Sequence, residues 1–304
     1  MPRILDGVTL AAAIKQEVAE EVQALAALGV RPGLAAVLVG NVAASEIYVR
    51  NKVRICAEVG IYSNLITRPE TVTTAELLEL VASLNARDEI DGILIQLPLP
   101  AQVDVKSVLD SILPAKDVDG LHPVNAGLLQ AGRTALAPCT PAGVIEILKR
   151  SQIPISGRHA VVVGRSDLVG KPAALLLLHQ NATVTICHSK TRDLGAITRQ
   201  ADILVAAIGR PGFITPKMVK PEATLIDVGI NRITERADFD RFFAGNAKRE
   251  AAFAKNGSTL VGDIHPKAFE LAGAYTPVPG GVGLLTTAML MANTVRAAKM
   301  RRGL

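Results

Sequence analysis

Gly164-Arg165-Ser166-Asp167-Leu168-Val169-Gly170-Lys171-Pro172 is the stretch on which the fold turns. It follows the apolar run Ala160 to Val163 and leads into a helical pattern, and a second strand pattern, Thr183 to Cys187, comes after it. Strand, glycine-bearing turn, helix and strand make one β–α–β unit. Glycines in such a turn let the backbone approach a pyrophosphate, and the helix start adds free N–H groups and the positive end of its dipole. Pro172 reads as the first helical position, where its missing N–H costs nothing. The stretch is no Walker A loop. Five residues separate its glycines, and Lys171 precedes Pro rather than the Ser or Thr that holds magnesium. It is also not a strict G-x-G-x-x-G, so on these residues alone a plain strand–turn–helix fits equally well.

The next strand adds weight to the nucleotide reading. NAD enzymes usually end that strand in Asp or Glu, which bonds the ribose hydroxyls. Here it ends in His188-Ser189-Lys190, and the nearest acid is Asp193. A carboxylate would repel a ribose phosphate, whereas a hydroxyl with cations nearby accepts one. The residues point to NADP.

Outward from this unit the alternation continues. Strand patterns fall at Ile203–Ala207, Leu225–Val228 and Thr259–Val261, and a last helix at Leu284–Lys299 has Arg301 and Arg302 past its end. Toward the N-terminus, helices read at 8–28, 42–59, 74–86 and 103–113, with strands at Leu34–Val39 and Gly92–Gln96. Asn41 can cap the second helix, and Gly29 and Gly60 end the first two. Strand–helix alternation implies parallel, twisted sheets. The pattern restarts near Pro138–Pro141 with a helix over 142–150, which separates two domains.

Composition sets the limits. The chain has 304 residues, with 49% hydrophobic and 20% charged, enough for two domains with substantial cores. Aromatics are only 3%, without Trp, which argues against a protein that reads nucleic acid by stacking. A net charge of +5 fits plain solubility, or a field that draws in an anionic cofactor and substrate. Cys56, Cys139 and Cys187 form neither a disulfide framework nor C-x-x-C, which suits reduced thiols in the cytoplasm. No signal-peptide core and no membrane span is expected. His122, His159, His179, His188 and His265 show no metal-ligand spacing, and no metal is expected. There is no G-x-S-x-G nucleophile elbow.

In the first half, Tyr48 and Lys52 stand four residues apart on one helix face that Ile55 and Val59 continue. Partial burial would disfavour the charged lysine and bring it toward acid–base work. A snorkelling surface lysine fits the same spacing. Gln96 ends a strand, where α/β sheets place ligand sites. Asp117 and Asp119 stand in Lys116-Asp117-Val118-Asp119-Gly120, which is no calcium loop and reads equally as a capped turn.

Together these stretches closely resemble the bifunctional methylenetetrahydrofolate dehydrogenase/methenyltetrahydrofolate cyclohydrolase family over nearly the whole chain. The resemblance rests on Tyr48-Val49-Arg50-Asn51-Lys52, residues 92–100 and 116–123, Cys139-Thr140-Pro141, and Val163-Gly164-Arg165-Ser166. It also rests on Val169-Gly170-Lys171-Pro172, residues 226–231 and residues 276–283. It implies two domains: a folate-binding α/β domain at 1–140 and 277–304, and a Rossmann-like NADP domain at 141–276, with the active-site cleft between them. By resemblance Lys52 is the catalytic lysine, Tyr48 its partner beside the substrate, and Gln96 the residue that tunes it. Asp119 grips the pterin, whose adjacent amino and ring N–H groups suit one carboxylate. Pro277, Gly280 and Gly281 belong to a loop over the folate. Gly164, Arg165, Ser166 and Ser189 hold NADP, and Ile230 lies by the nicotinamide. A folate substrate, polyglutamylated, and a homodimer are also implied.

Three features depart from the family. Leu284-Leu285 stands where Pro-Met commonly precedes the Thr, Arg54 replaces a lysine, and residues 232–258 are long and hold four of the six Phe. That insert reads as one extra amphipathic helix, either surface packing or a lid or dimer contact. Two rivals stay open: a dehydrogenase that has lost the hydrolase step, and a non-catalytic NADP-binding sensor.

Overall fold

In the computed structural model, which describes residues 1–41, 43–133 and 136–304, strands and helices alternate along most of the chain. The order opens with β1 (Arg3–Ile4), α1 (Gly7–Ala27), β2 (Gly33–Val39), α2 (Ala43–Val59) and β3 (Tyr62–Arg68). Next come α3 (Thr74–Ala86), β4 (Gly92–Ile95), α4 (Val105–Asp110), α5 (Pro123–Gln130) and α6 (Cys139–Arg150). Then follow β5 (His159–Val163), α7 (Gly170–His179), β6 (Thr183–Cys187), α8 (Leu194–Thr198), β7 (Ile203–Ala206) and β8 (Thr224–Asp227). The chain closes with β9 (Asn231–Ile233), α9 (Arg236–Phe243), α10 (Ala247–Asn256), β10 (Thr259–Val261), β11 (Ala274–Tyr275) and α11 (Val282–Arg302). Val42, the first residue of one expected helix, lies outside the described residues.

The chain divides into two compact units, Met1–Leu10 with Thr140–Thr286, and Ala11–Cys139 with Thr287–Leu304. The division departs from the expected 1–140 plus 277–304 at both ends. β1 pairs in parallel with β11, Arg3 opposite Ala274 and Ile4 opposite Tyr275. The Gly7 N–H donates to the Gly280 carbonyl at 2.9 Å. Those backbone bonds place the first ten residues and the 277–286 stretch in the unit that carries the glycine turn.

That unit holds a six-stranded sheet in the order β1-β11-β8-β7-β5-β6. Its paired strands are all parallel. Counted from β5, the first five strands run 2-1-3-4-5, a doubly wound order whose switch point falls between β5 and β7. β5 and β7 are apolar runs buried on both faces, as a helix-covered parallel sheet requires. The other unit has a three-stranded parallel sheet, β3-β2-β4. Its core joins β2 and β4 to Leu77, Val81 and Leu84 of α3 and to Val108 of α4.

Local features set several boundaries, one as expected and others not. Thr73 and Glu76 form a reciprocal capping box that fixes the start of α3. Asp104 caps α4 by accepting from the Lys106 and Ser107 N–H groups, so that helix is shorter than the expected 103–113. α11 extends past the expected end, so Arg301 and Arg302 sit in its last turn rather than beyond it, and both guanidiniums reach the buried Asp91 carboxylate. The insert forms two short helices, α9 and α10, because Gly245 turns the chain between them at φ +80°. Phe239, Phe242 and Phe243 are buried with Ile233 and Val261, and Phe253 packs against them.

Candidate functional sites

The glycine turn sits at the switch point of the six-stranded sheet. Gly164 leaves β5 at φ +127°, and a Cβ there would fall 2.2 Å from the Ala207 carbonyl beyond β7. A Cβ on Gly170 would fall 2.2 Å from the Gly164 carbonyl. Both positions therefore exclude every side chain, and their glycines let the turn close tightly on its own backbone at the carboxyl end of β5, where nucleotide-binding turns bring main chain to a pyrophosphate. The Ser166 hydroxyl accepts from the Val169 and Gly170 N–H groups at 3.2 and 3.3 Å. α7 starts at Gly170, so Pro172 is its third residue rather than its first. The position still suits proline, because the first four N–H groups of a helix lack partners inside it.

Arg165 and Ser189 are both exposed, and they follow β5 and β6 respectively. Val163 pairs with Cys187, so the two residues leave adjacent strands at their carboxyl ends. The described geometry thus sets a cation and a hydroxyl at the carboxyl ends of neighbouring strands, with the cation in the glycine turn itself. Ile230 follows β8 and is 47% exposed, although it is apolar. Its Cδ1 would meet a Cβ on Gly283 at 2.9 Å, so the start of α11 runs directly past it. The altered Leu284-Leu285 pair belongs to the first turn of α11, where Leu285 is fully buried and Leu284 is exposed.

Two carboxylates that sequence reasoning passed over shape the ends of these strands. Asp263, fully buried, accepts from the Ile208, Gly209 and Arg210 N–H groups at 2.6–2.9 Å and from the Asn231 amide at 2.9 Å. Asp227 accepts from the Gly229, Asp263 and Ile264 N–H groups. Burial pushes the Asp227 carboxyl up to about 7, against the pull of those donors. The sequence signal was an acid at the end of a strand or directly after a glycine, which turns share.

In the other unit, α2 presents Tyr48 half exposed and Lys52 half buried, with Ile55 and Val59 buried below them. The Lys52 ammonium donates to Gln96 Oε1 at 3.0 Å, and the Gln96 amide donates to the Leu97 carbonyl at 2.8 Å. That second bond fixes which end of Gln96 faces the lysine. Burial lowers the Lys52 pKa, while the nearby Asp119 charge partly opposes the shift. Burial raises the Asp119 pKa, with Lys52 again opposing. The Cys139 thiol, fully buried, donates to the Val118 carbonyl at 3.3 Å and is pushed well up by burial, with the Asp119 charge adding to the shift. Tyr48, Lys52, Gln96 and Asp119 thus lie in one unit, and the last three are linked by bonds or charge.

Their neighbours in sequence do other work. Asp117 accepts from the Leu121 and His122 N–H groups and the Asn125 amide, the capped-turn role. Lys116, 1% exposed, donates to the Leu84, Asn85 and Arg87 carbonyls at 2.7–3.1 Å and so closes the C-terminal end of α3. Among the described residues no group of three or more His, Cys, Asp or Glu is placed to hold a metal ion. No described helix is long and apolar enough to cross a membrane.

A doubly wound parallel sheet with a tightly closed glycine turn at its switch point defines a nucleotide-binding α/β protein, here carrying a separate lysine–carboxylate group. Family models extend this over most of the chain. Residues 5–119 match the tetrahydrofolate dehydrogenase/cyclohydrolase catalytic domain, and residues 138–302 match the NAD(P)-binding domain of the same family. The chain belongs to the tetrahydrofolate dehydrogenase/cyclohydrolase family. A Koribacter versatilis protein named bifunctional protein FolD is 68% identical, over 99% of this chain and 98% of its own. The crystal structure of the Campylobacter jejuni bifunctional enzyme FolD is 41% identical over 99% of this chain and 100% of that one, with a TM-score of 0.90. A Trypanosoma brucei FolD structure, in complex with NADP and an inhibitor, is 36% identical over 100% and 99%, with a TM-score of 0.88.

Proposed function

We propose that the chain is a bifunctional one-carbon enzyme that oxidises methylenetetrahydrofolate with NADP and hydrolyses the resulting methenyltetrahydrofolate to formyltetrahydrofolate. The single observation that carries the chemistry is Lys52, a half-buried ammonium held by Gln96 Oε1 at 3.0 Å and biased by burial toward its neutral form. NADP, when bound, supplies the hydride acceptor. Gly164 and Ser166 would cradle its pyrophosphate, Arg165 and Ser189 its ribose phosphate, and Ile230 would flank the nicotinamide. Hydride transfer needs no protein acid or base at the reacting carbon, so the chain's part in that step is positioning.

Hydrolysis needs proton transfer. Water adds to the methenyl carbon and the Lys52 amine takes the released proton; one C–N bond then opens as the carbinol proton passes to the leaving nitrogen, which leaves the formyl group. Gln96 holds the amine in place through this cycle, and Tyr48 stacks beside the substrate. Asp119 accepts the paired N–H groups of the pterin, and Pro277, Gly280 and Gly281 contact the folate. The folate is polyglutamylated, the protein acts in the cytoplasm, and it forms a homodimer without nucleic-acid or membrane partners. The test is direct. Purified protein with methylenetetrahydrofolate should form NADPH, prefer NADP over NAD, and release formyltetrahydrofolate. NADPH without the formyl product would leave a dehydrogenase alone, and no turnover at all would leave a nucleotide-binding sensor.

A further inference from the structure

The insert that departs from the family pattern touches the loop of residues 277–283 at one point. Arg249, on α10, donates from Nη2 to the Val278 carbonyl at 2.6 Å. Its Nη1 donates to the Leu260 carbonyl and to Thr259 Oγ1, both at 3.2 Å. The guanidinium lies over the Phe243 ring, 4.7 Å from its centroid. Asn246 caps α10 by accepting from the Arg249 N–H, which fixes the residue's own backbone. Phe242 in turn packs on Gly212, where a Cβ would fall 2.1 Å from the ring, so the insert is seated on the sheet unit.

Three features make this more than packing. Arg249 is half buried, and burial lowers its pKa. Among the described residues no carboxylate pairs with it, and neutral oxygens alone receive its protons. A desolvated charge held only by neutral acceptors costs free energy that a hydrophobic residue would not. The back of the loop is also hollow. A cavity of about 410 Å³ lies there, lined by Phe242, Phe243, Arg249, Phe269, Tyr275 and Val278. Side-chain packing does not fill that space, and the Arg249 guanidinium braces the loop at its edge. The other brace is the Gly7 N–H on the Gly280 carbonyl, two residues further on.

We infer that Arg249 is a positioning residue for the folate loop, with its guanidinium setting the Val278 carbonyl and the insert helices acting as its mount. The inference rests on the proposed function, since it takes residues 277–281 to contact the folate. Arg249→Ala should raise the folate KM about tenfold, the factor corresponding to ~1.4 kcal/mol. The rise should appear in the dehydrogenase and also in hydrolysis of methenyltetrahydrofolate, which uses no NADP. The KM for NADP should stay unchanged, although NADP and Arg249 share one unit. Calorimetric binding of tetrahydrofolate should weaken by the same factor. Arg249→Lys keeps the charge but reaches fewer oxygens, so its folate KM should lie between, and it carries the test should Arg249→Ala fail to fold. An active wild type with an unchanged folate KM in both Arg249 variants overturns the inference. So does a parallel rise in the KM for NADP, which would mark a structural role only. A wild type that turns over no folate removes the functional reading, and the inference with it.

Discussion

Lys52→Met separates the two proposed reactions. Methionine keeps much of the apolar stem, so α2 should keep its packing through Ile55 and Val59. Two opposing terms govern stability. Gln96 Oε1 loses its 3.0 Å donor, which costs up to ~1–3 kcal/mol for a buried group and less for the half-buried Gln96. The desolvated ammonium disappears, which acts in the opposite direction, because burial disfavours that charge. The melting temperature should therefore stay close to that of the wild type. Activity should divide instead. Positioned acid–base catalysis contributes ~10²–10⁴-fold, or ~2.7–5.4 kcal/mol at ~1.36 kcal/mol per tenfold, and hydrolysis should fall by that factor. Hydride transfer should persist, slowed only by looser positioning. Methenyltetrahydrofolate should then accumulate, and its ultraviolet absorbance follows it directly against the wild type. Hydrolysis at the wild-type rate would refute the role given to Lys52. Loss of both activities with the circular dichroism intact would refute the division of labour.

Four further outcomes are expected. The hydrolase rate should rise with pH and level off around a midpoint below the ordinary lysine value of 10.5, because burial lowers the Lys52 pKa, and the dehydrogenase should not follow it. The same shift makes folding stability increase with pH between the lowered value and 10.5, since there the unfolded chain binds a proton that the folded one does not, and Lys52→Met should flatten that slope in denaturant titrations. Arg165→Ala should raise the KM for NADP far more than that for NAD, and equal turnover with NAD in the wild type would refute the preference. Asp119→Ala should weaken folate binding by at least the ~1.5–3 kcal/mol of a charged hydrogen bond in both reactions, and unchanged calorimetric affinity would show that the pterin is held elsewhere.

Where the chain advertises its structure locally, sequence reasoning sufficed. α3 was readable end to end because a capping box and apolar spacing are near-neighbour effects. β6 and β10 likewise had their full extent. Elements that exist only through distant partners were silent. β3, Tyr-Ser-Asn-Leu-Ile-Thr-Arg, lacks an apolar run because it is an edge strand with one neighbour, β2. β1 and β11 are two residues each and are defined by pairing across some 270 positions of chain. The same holds within the sites. Tyr48 and Lys52 share a helix face, so spacing links them, whereas the bond to Gln96 spans 44 residues and the one from Arg249 to Val278 joins an insert to a loop. The Phe-rich insert betrayed its amphipathic character but not its break at Gly245, since glycine can end a helix or merely weaken it.

Asp227 and Asp263 grip main-chain N–H groups almost exclusively. A carboxylate that reads backbone is indifferent to what the residues it holds carry as side chains. The path of the chain at Ile208–Arg210 and around Gly229 is thereby uncoupled from the identity of Ile208, Arg210 and Ile230. Arg210 and Ile230, whose side chains are exposed, can be rewritten one residue at a time on a frame that does not move, whereas Ile208 stays tied to the core it packs against. Exchanging either aspartate would have the opposite effect, releasing several N–H groups at once, so latitude at the rim is underwritten by two positions that have none.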